Sequence, residues 1–146
     1  MKIRLEPVTV ASRAAVERLE TAPGQEGFVE CLAEADRRRC WRPVGVYDGD
    51  ALIGFAMYGF FWEYLPFGRL WLDRLLIDRR FQGRGYGRAA LAALLERLER
   101  EYHKKRIYLS VVEANRPAAA LYESFGFRFT GERDTHGERV MCLRTR

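Results

Sequence analysis

The stretch RRFQGRGYGRAA, residues 79–90, carries glycine at 83, 85 and 87 and arginine at 79, 80, 84 and 88, then turns into small helix-forming residues. It follows the apolar run RLWLDRLLID, residues 69–78, so it lies at a junction from strand to helix. The first N–H groups of a helix have no intrahelical acceptor, and the helix dipole favours an anion in front of them. Glycines lack side chains and let a ligand approach that backbone closely. Arg79, Arg84 and Arg88 add positive charge. These residue types in this order describe a cradle for a pyrophosphate. Two other cradles are excluded by spacing. There is no Gly-Lys-Ser/Thr for a Walker A loop, and the pattern is G-x-G-x-G rather than G-x-G-x-x-G, with no acid on the following strand. The competing explanation is a plain glycine-rich turn.

Asp73 is a second candidate, an acid inside an otherwise apolar strand and followed by Arg74. Strand alternation puts Trp71, Asp73 and Leu75 on one face. A carboxylate there can take a proton or pair with an arginine. Glu26, Glu30 and Glu34 recur every four residues and form an acidic row on a predicted helix. Such a row suits a cation, or is a solvated face. Trp41, Trp62 and Tyr64 offer rings that flank a cation or pack in a core. His103 and His136 have no partner at catalytic spacing. Cys31, Cys40 and Cys142 are odd in number and form no CxxC or Cys/His cluster. Neither a metal site nor a disulfide framework is expected from them, and a reducing compartment is.

The elements that must position these residues follow from periodicity and turn signals. KIRLEPVT reads as a strand, and Ser12 as the cap of a short helix with Ala15, Val16 and Leu19 on one face. A second helix is predicted over 25–39. Asp48-Gly49-Asp50 joins two strands as a hairpin. WEYLPFG, residues 62–68, reads as a loop before the 69–78 strand. Gly87, Leu91, Leu94, Leu95 and Leu98 then follow helical spacing to about Tyr102. KKRIYLSVV is a buried strand, and NRPAAALYESFG a short helix stopped by Gly126. Two last strands meet around His136-Gly137. The order β-α-α-β-β-β-α-β-α-β-β gives an α/β fold with a mixed central sheet, because strand–helix–strand in the second half requires a parallel crossover.

The chain has 146 residues, enough for one domain with a real core, and is 48% hydrophobic and 13% aromatic. No apolar run reaches a membrane span and no signal-peptide core opens it, so a cytoplasmic protein is expected. The net charge of +5 favours an anionic partner only weakly. No nucleic-acid recognition motif is present, and no nucleic acid or membrane partner is expected.

QGRGYG, Gln82–Gly87, fits [QR]-x-x-G-x-[GA], and NRPAAALYESFGF, Asn115–Phe127, fits N-x-x-A-x-x-L-Y-x-x-x-G-F. Together they resemble the acetyl-CoA signatures of the GNAT acetyltransferases, and the element order is similar across essentially the whole chain. GFAMYG, WLDRLLIDRRFQGRGYG and LYESFGF further resemble the bacterial spermine/spermidine (diamine) acetyltransferases.

The resemblance implies an acetyl-CoA-dependent N-acetyltransferase that acts on a small amine by direct attack on the thioester, with no cysteine nucleophile and no metal. It implies that Leu75, Leu76 and Ile77 line the cofactor arm, with an N–H near Leu76 polarising the thioester carbonyl. Gln82, Gly83, Arg84, Gly85, Tyr86, Gly87 and Arg88 would hold the pyrophosphate. Tyr122 would protonate the departing thiolate, since a phenol is protonated at neutral pH. Asn115 is a helix cap or a partner of the cofactor arm. Asp73 would activate the amine through water, with Glu63 and Glu34 in reserve, because an alkylamine of pKa near 10 must lose a proton before it attacks. Glu30, Glu34 and Glu63 are the expected substrate contacts for a polyamine. The alternatives are another amine, such as an amino acid, antibiotic or protein amine, or a non-catalytic acyl-CoA sensor. A homodimer is also implied.

Overall fold

Asp48-Gly49-Asp50 does turn the chain: Gly49 takes a φ of 60°, and Asp48 pairs with Ala51 across the turn. The computed structural model describes residues 1–20, 41–64 and 67–145. The strands are β1 (Ile3–Pro7), β2 (Trp41–Asp48), β3 (Ala51–Tyr64), β4 (Phe67–Ile77), β5 (Arg106–Val111), β6 (Arg128–Arg133) and β7 (Arg139–Arg144). The helices among these residues are α1 (Val10–Glu17), α2 (Tyr86–Tyr102) and α3 (Arg116–Ser124), with a 3-10 turn at Arg79–Phe81. One sheet runs β1-β2-β3-β4-β5-β7-β6. Among the described strands only β4 and β5 pair in parallel, and α2 is the crossover between them.

The sheet has a core on each face. Leu91, Leu94 and Leu98 of α2 are fully buried against Leu70, Leu72, Ile107, Leu109 and Met141, and each such leucine contributes about 1.5–3 kcal/mol by leaving water. On the other face, Val16 and Leu19 pack on Phe55 and Met57, with Trp41 and Leu76 at the margin. Trp41 also stacks on Phe61 at 4.1 Å, so packing accounts for its ring. Arg69 of β4 reaches across β5: its guanidinium lies 4.4 Å from the Tyr108 ring and donates to both carboxylate oxygens of Glu132, at 2.8 and 3.2 Å.

The structure corrects three local expectations. Thr9, not Ser12, is the N-cap of α1; Ser12 sits at the third helical position and returns a hydrogen bond to the Thr9 amide, a reciprocal box. Residues 62–68 are not a long loop, since pairing continues through Trp62↔Gly68 and Tyr64↔Phe67. The face shared by Trp71, Asp73 and Leu75 does not exist. Met57 pairs with Arg74 and Tyr58 with Leu72, so Asp73 is the extra residue of a β-bulge. The bulge reverses the alternation: Leu70 and Leu72 lie in the α2-side core before it, and Leu75 and Ile77 pack there after it. The helix expected from Gly87 to about Tyr102 is present: α2 starts at Tyr86, with Gly85 as its cap, and ends at Tyr102. The second helix predicted over 25–39 lies outside the described residues.

Candidate active site

β4 has β3 beside it throughout but β5 only at Leu70↔Ile107 and Trp71↔Tyr108. Past Trp71 its second edge has no strand partner among the described residues. The bond from Asp78 N–H to Ile53 O, 2.7 Å, fixes which way each peptide group points. Main-chain groups alternate sides along a strand. Leu76 therefore turns its N–H and C=O to β3, and Leu75 and Ile77 turn theirs to the open edge. A Cβ on Gly54 would collide with the Leu76 carbonyl oxygen, as a group facing β3 requires. The resemblance puts the polarising N–H near Leu76; strand parity turns the main-chain groups of its two neighbours, Leu75 and Ile77, to the open edge. The Leu76 side chain packs toward α1 instead.

The open edge leads into the glycine stretch. Gln82 Nε2 donates to Ile77 O at 3.0 Å and ties the two together. The last backbone bond before the stretch is Gln82 N–H to Arg79 O at 3.4 Å, and the next is Ala89 N–H to Gly85 O at 3.2 Å. Among the described residues, the N–H groups from Gly83 to Arg88 find no acceptor. Gly83 and Gly85 take φ of 77° and 84°, in the left-handed region that other residues enter only with strain. The arrangement fits a pyrophosphate, because a run of unsatisfied donors converges at a helix N-terminus.

Side chains around the cradle divide by partner. Arg84 is exposed, with its guanidinium 5.8 Å from the Phe81 ring. Arg88 donates to Ser124 Oγ at 3.1 Å and lies 5.4 Å from the Phe125 ring. The Tyr86 hydroxyl donates to Asp48 Oδ2 at 2.6 Å, so Tyr86 has its amide left for a ligand. A Cβ at Gly87 would meet Leu121 at 3.7 Å. The Arg88 and Gly87 contacts bring the two sequence motifs together: α2 begins against α3.

Tyr122 on α3 is half-buried and packs on the same core cluster as Leu75 and Ile77. Its ring meets Phe127 edge-on at 5.9 Å. Its hydroxyl has no hydrogen bond among the described residues, and burial pushes the phenol up to about 12. The group therefore carries its proton at neutral pH. Asn115 caps α3, its Oδ1 accepting from the Ala118 amide at 3.2 Å; its side-chain amide donors are not used by the cap. Asp73 is exposed at the bulge, with Arg74 Nε 3.8 Å from Oδ2.

Of the expected substrate contacts, Glu30 and Glu34, and Glu26 in the same row, lie outside the described residues. Glu63 lies on β3 five residues beyond Tyr58, whose partner is Leu72. At roughly 3.3 Å per residue that is about 17 Å along the strand from the bulge. His103 caps α2 with a φ of 51°. His136 shares a turn with Asp134 and Glu138, where Asp134 Oδ1 accepts the amides of both at 2.9 Å. Turn closure accounts for that group. Cys142 is a half-buried free thiol whose pKa burial pushes up; Cys31 and Cys40 lie outside the described residues.

Asp78 escapes the sequence reading. It is 2% exposed and ends β4, and its carboxylate accepts from Arg80 Nε at 2.9 Å, Arg80 Nη2 at 3.0 Å, the Arg80 amide at 2.9 Å and the Glu20 amide at 2.8 Å. The Arg80 guanidinium, helped by both amides, holds the carboxyl down at about 2 against the burial that would raise it. An acid directly after an apolar strand, with a basic residue two places on, is the signal that could have found it.

An open strand edge feeds a donor-rich helix N-terminus, with a proton-bearing phenol on the neighbouring helix, an arrangement with room for a long phosphorylated ligand. Residues 10–127 match the acetyltransferase (GNAT) family model. The chain is 45% identical over 148 aligned residues to the spermine/spermidine N(1)-acetyltransferase of Bacillus subtilis strain 168, covering 97% of each. Among solved structures, a spermidine N-acetyltransferase chimera from Vibrio cholerae and hSSAT superposes with a TM-score of 0.75 at 19% identity, over 99% of this chain and 96% of that one. A GNAT family acetyltransferase from Elizabethkingia anophelis with acetyl-CoA bound gives 0.73 at 14% identity, over 99% of both chains. The chain belongs to the acetyltransferase (GNAT) family: it is an N-acetyltransferase that takes its acetyl group from acetyl-CoA.

Proposed function

We propose that the protein acetylates a primary amine of a small polyamine such as spermine or spermidine. The observation that carries the reading is the near full-length, 45% identity to a bacterial spermine/spermidine acetyltransferase, joined to an acidic row at Glu26, Glu30 and Glu34 suited to a polycation. When bound, acetyl-CoA supplies a thioester acetyl group. The amides from Gly83 to Arg88, with Gln82, Arg84 and Arg88 around them, hold the pyrophosphate. Leu75 and Ile77 pair their edge groups with the pantetheine arm and direct an N–H at the thioester carbonyl, with Leu76 anchoring the strand behind them. Asn115 donates from its free amide. Asp73, exposed at the bulge, takes the amine proton through water. Tyr122 gives its phenolic proton to the leaving sulfur and regains one from the nitrogen as the tetrahedral adduct collapses, so the ammonium loses two protons, one to Asp73 before attack and one that replaces the phenol's. Glu30, Glu34 and Glu63 contact the remaining ammonium groups.

The reading includes a cytoplasmic enzyme, supported by three cysteines without a framework, and a homodimer, supported by the exposed edge strand β6. None of the described helices is long and apolar enough to cross a membrane.

The test is thiol release from acetyl-CoA against spermine, spermidine, putrescine, amino acids, aminoglycosides and a lysine peptide. A marked preference for the polyamines is expected. A preference elsewhere keeps the acetyltransferase and discards the polyamine pocket. In the same assay, Asp73→Asn is expected to lower kcat/KM about a hundred-fold at pH 7, the usual scale of a general base. The deficit shrinks as pH rises toward the amine's own pKa of about 10, where the substrate deprotonates unaided. An unchanged kcat/KM at pH 7 removes Asp73 from the chemistry.

A further inference from the structure

The first turn of α2 has no side-chain cap. Gly85 stands at the N-cap position and offers no acceptor of its own. A serine or aspartate there would fix the helix end by accepting the second or third helical amide. Those amides belong to the run from Gly83 to Arg88 that finds no acceptor among the described residues. The end is held from outside instead. Tyr86, the first residue of α2, donates its hydroxyl to Asp48 Oδ2 at 2.6 Å, and its ring meets Phe81 edge-on at 6.1 Å. Asp48 ends β2, and its other oxygen accepts the Lys2 amide at 2.8 Å. The next residue is fastened as well: Gly49 N–H donates to Lys2 O at 3.1 Å, and Arg4 Nη2 donates to Gly49 O at 2.9 Å. Asp48 therefore sits on a hairpin tip that Lys2 and Arg4 hold still. The Tyr86 hydroxyl, then the Lys2 amide, keep its carboxyl below the ordinary carboxylate range, and the same bond raises the Tyr86 phenol. At neutral pH the acceptor is ionised and the donor keeps its proton.

We propose that Asp48 is a positioning residue for acetyl-CoA: through the Tyr86 phenol it holds the uncapped first turn of α2 in place and leaves the amides of that turn open. Its own hydrogen bonds go to the phenol and to the Lys2 amide, so it takes none of the cradle donors. The tether matters because the segment before it is loose by composition. Gly83 and Gly85 have wide conformational freedom, and a cradle ordered in advance loses less on binding its ligand. The body of α2 does not depend on the tether. Leu91, Leu94 and Leu98 are fully buried, and Arg97 Nη2 donates to Leu5 O at 2.9 Å, eleven residues beyond Tyr86. Loss of the phenol bond therefore frees the first turn and not the helix. The inference rests on the proposed reading of Gly83 to Arg88 as the pyrophosphate cradle.

Calorimetric CoA titrations test it, with steady-state kinetics on whichever amine the wild-type enzyme turns over fastest. Tyr86→Phe removes one hydroxyl and keeps the ring on Phe81 and the core cluster, so the fold is retained. It is expected to raise the CoA Kd about ten-fold, the scale of one hydrogen bond to a charged group. Asp48→Ala is expected to raise the Kd and the acetyl-CoA KM by a similar factor, with kcat at saturating acetyl-CoA within about two-fold of the wild type. The double variant is expected to be no weaker than the weaker single one, since both remove the same bond. Asp48→Asn recovers part of the affinity that Asp48→Ala loses, because its amide can donate to the phenol oxygen. Losses that multiply in the double variant, or an asparagine variant no better than the alanine one, overturn the tether. Tighter CoA binding in both Asp48 variants also overturns it and makes the carboxylate a charge that opposes the phosphates. A lower melting temperature with the CoA Kd unchanged overturns it as well. Gly85→Glu run alongside separates the readings. If that variant binds CoA normally, the cradle assignment fails and the tether with it. If it loses CoA while Tyr86→Phe binds like the wild type, only the tether fails.

Discussion

Tyr122→Phe is expected to lower kcat by about two to three orders of magnitude, within the range of a lost general acid, and to change the CoA dissociation constant by less than about two-fold. The substitution removes one hydroxyl that no described residue binds and keeps the ring that meets Phe127 at 5.9 Å. Packing on the core cluster that Leu75 and Ile77 also border is retained. Burial sets the phenol at about 12. A raised pKa favours the neutral form in the folded state, so this group stays protonated up to about 12, while its contribution to stability is whole below about 10, the value in the unfolded chain, and is lost as the pH rises from there through about 12. The alkaline limb of the wild-type rate profile therefore belongs to other groups. Steady-state kinetics with a parallel CoA titration checks this. A collapse of CoA affinity with kcat preserved makes Tyr122 structural.

Gly85→Glu is expected to weaken CoA binding by more than about a hundred-fold, nearly 3 kcal/mol, and to leave the protein folded. Gly85 caps α2 at a φ of 84°, where a side chain costs about 1–2 kcal/mol in backbone strain. Space is not the obstacle, since the nearest atom to a Cβ there is Met1 Cε at 4.0 Å. The decisive change is electrostatic. A carboxylate at the helix N-terminus satisfies the donors from Gly83 to Arg88 and repels the phosphates that would otherwise use them. The same interaction offsets part of the strain, so the melting temperature falls by only a few degrees. Gly85→Ala adds the strain without the charge and keeps most of the affinity. Normal CoA binding by the glutamate variant removes the cradle from this segment.

What was legible in the sequence was local. The hairpin at Gly49, the stop at Gly126 and the stripe of Leu91, Leu94 and Leu98 each depend on residue types within a few positions, and the structure bears them out. The glycine turn into α2 was legible for the same reason: alternate glycines and a helix start are neighbours in the chain. The bulge at Asp73 was not, because a bulge is a property of two strands in register, and Tyr58 is fourteen positions from Leu72. With the bulge unseen, alternation put Leu75 on the face of Trp71. Asp78 was hidden for a related reason. Its partner Glu20 is fifty-eight residues away, and only the fold makes the two adjacent. Thr9 and Ser12 show a milder case: both are capping residues, and the choice between them turns on where the first helical bond forms.

The pairing of β4 with β5 through two register positions has a mechanical meaning. The sheet is two plates, β1 to β4 and β5, β7, β6, riveted at one end of a seam. Arg69, held by Glu132 and lying over Tyr108, is a clasp across that rivet. Along the rest of the seam, crossover α2 carries the load that a hydrogen-bond ladder carries elsewhere in the sheet. A molecule that lays its own amides along Leu75 and Ile77 is a removable strand, and it closes the seam while bound. At a hundred times its Kd such a ligand adds about 2.7 kcal/mol to the folded state. On the proposed reading, the protein is most rigid while the acyl carrier lies in that seam, and it slackens along one line when the carrier leaves.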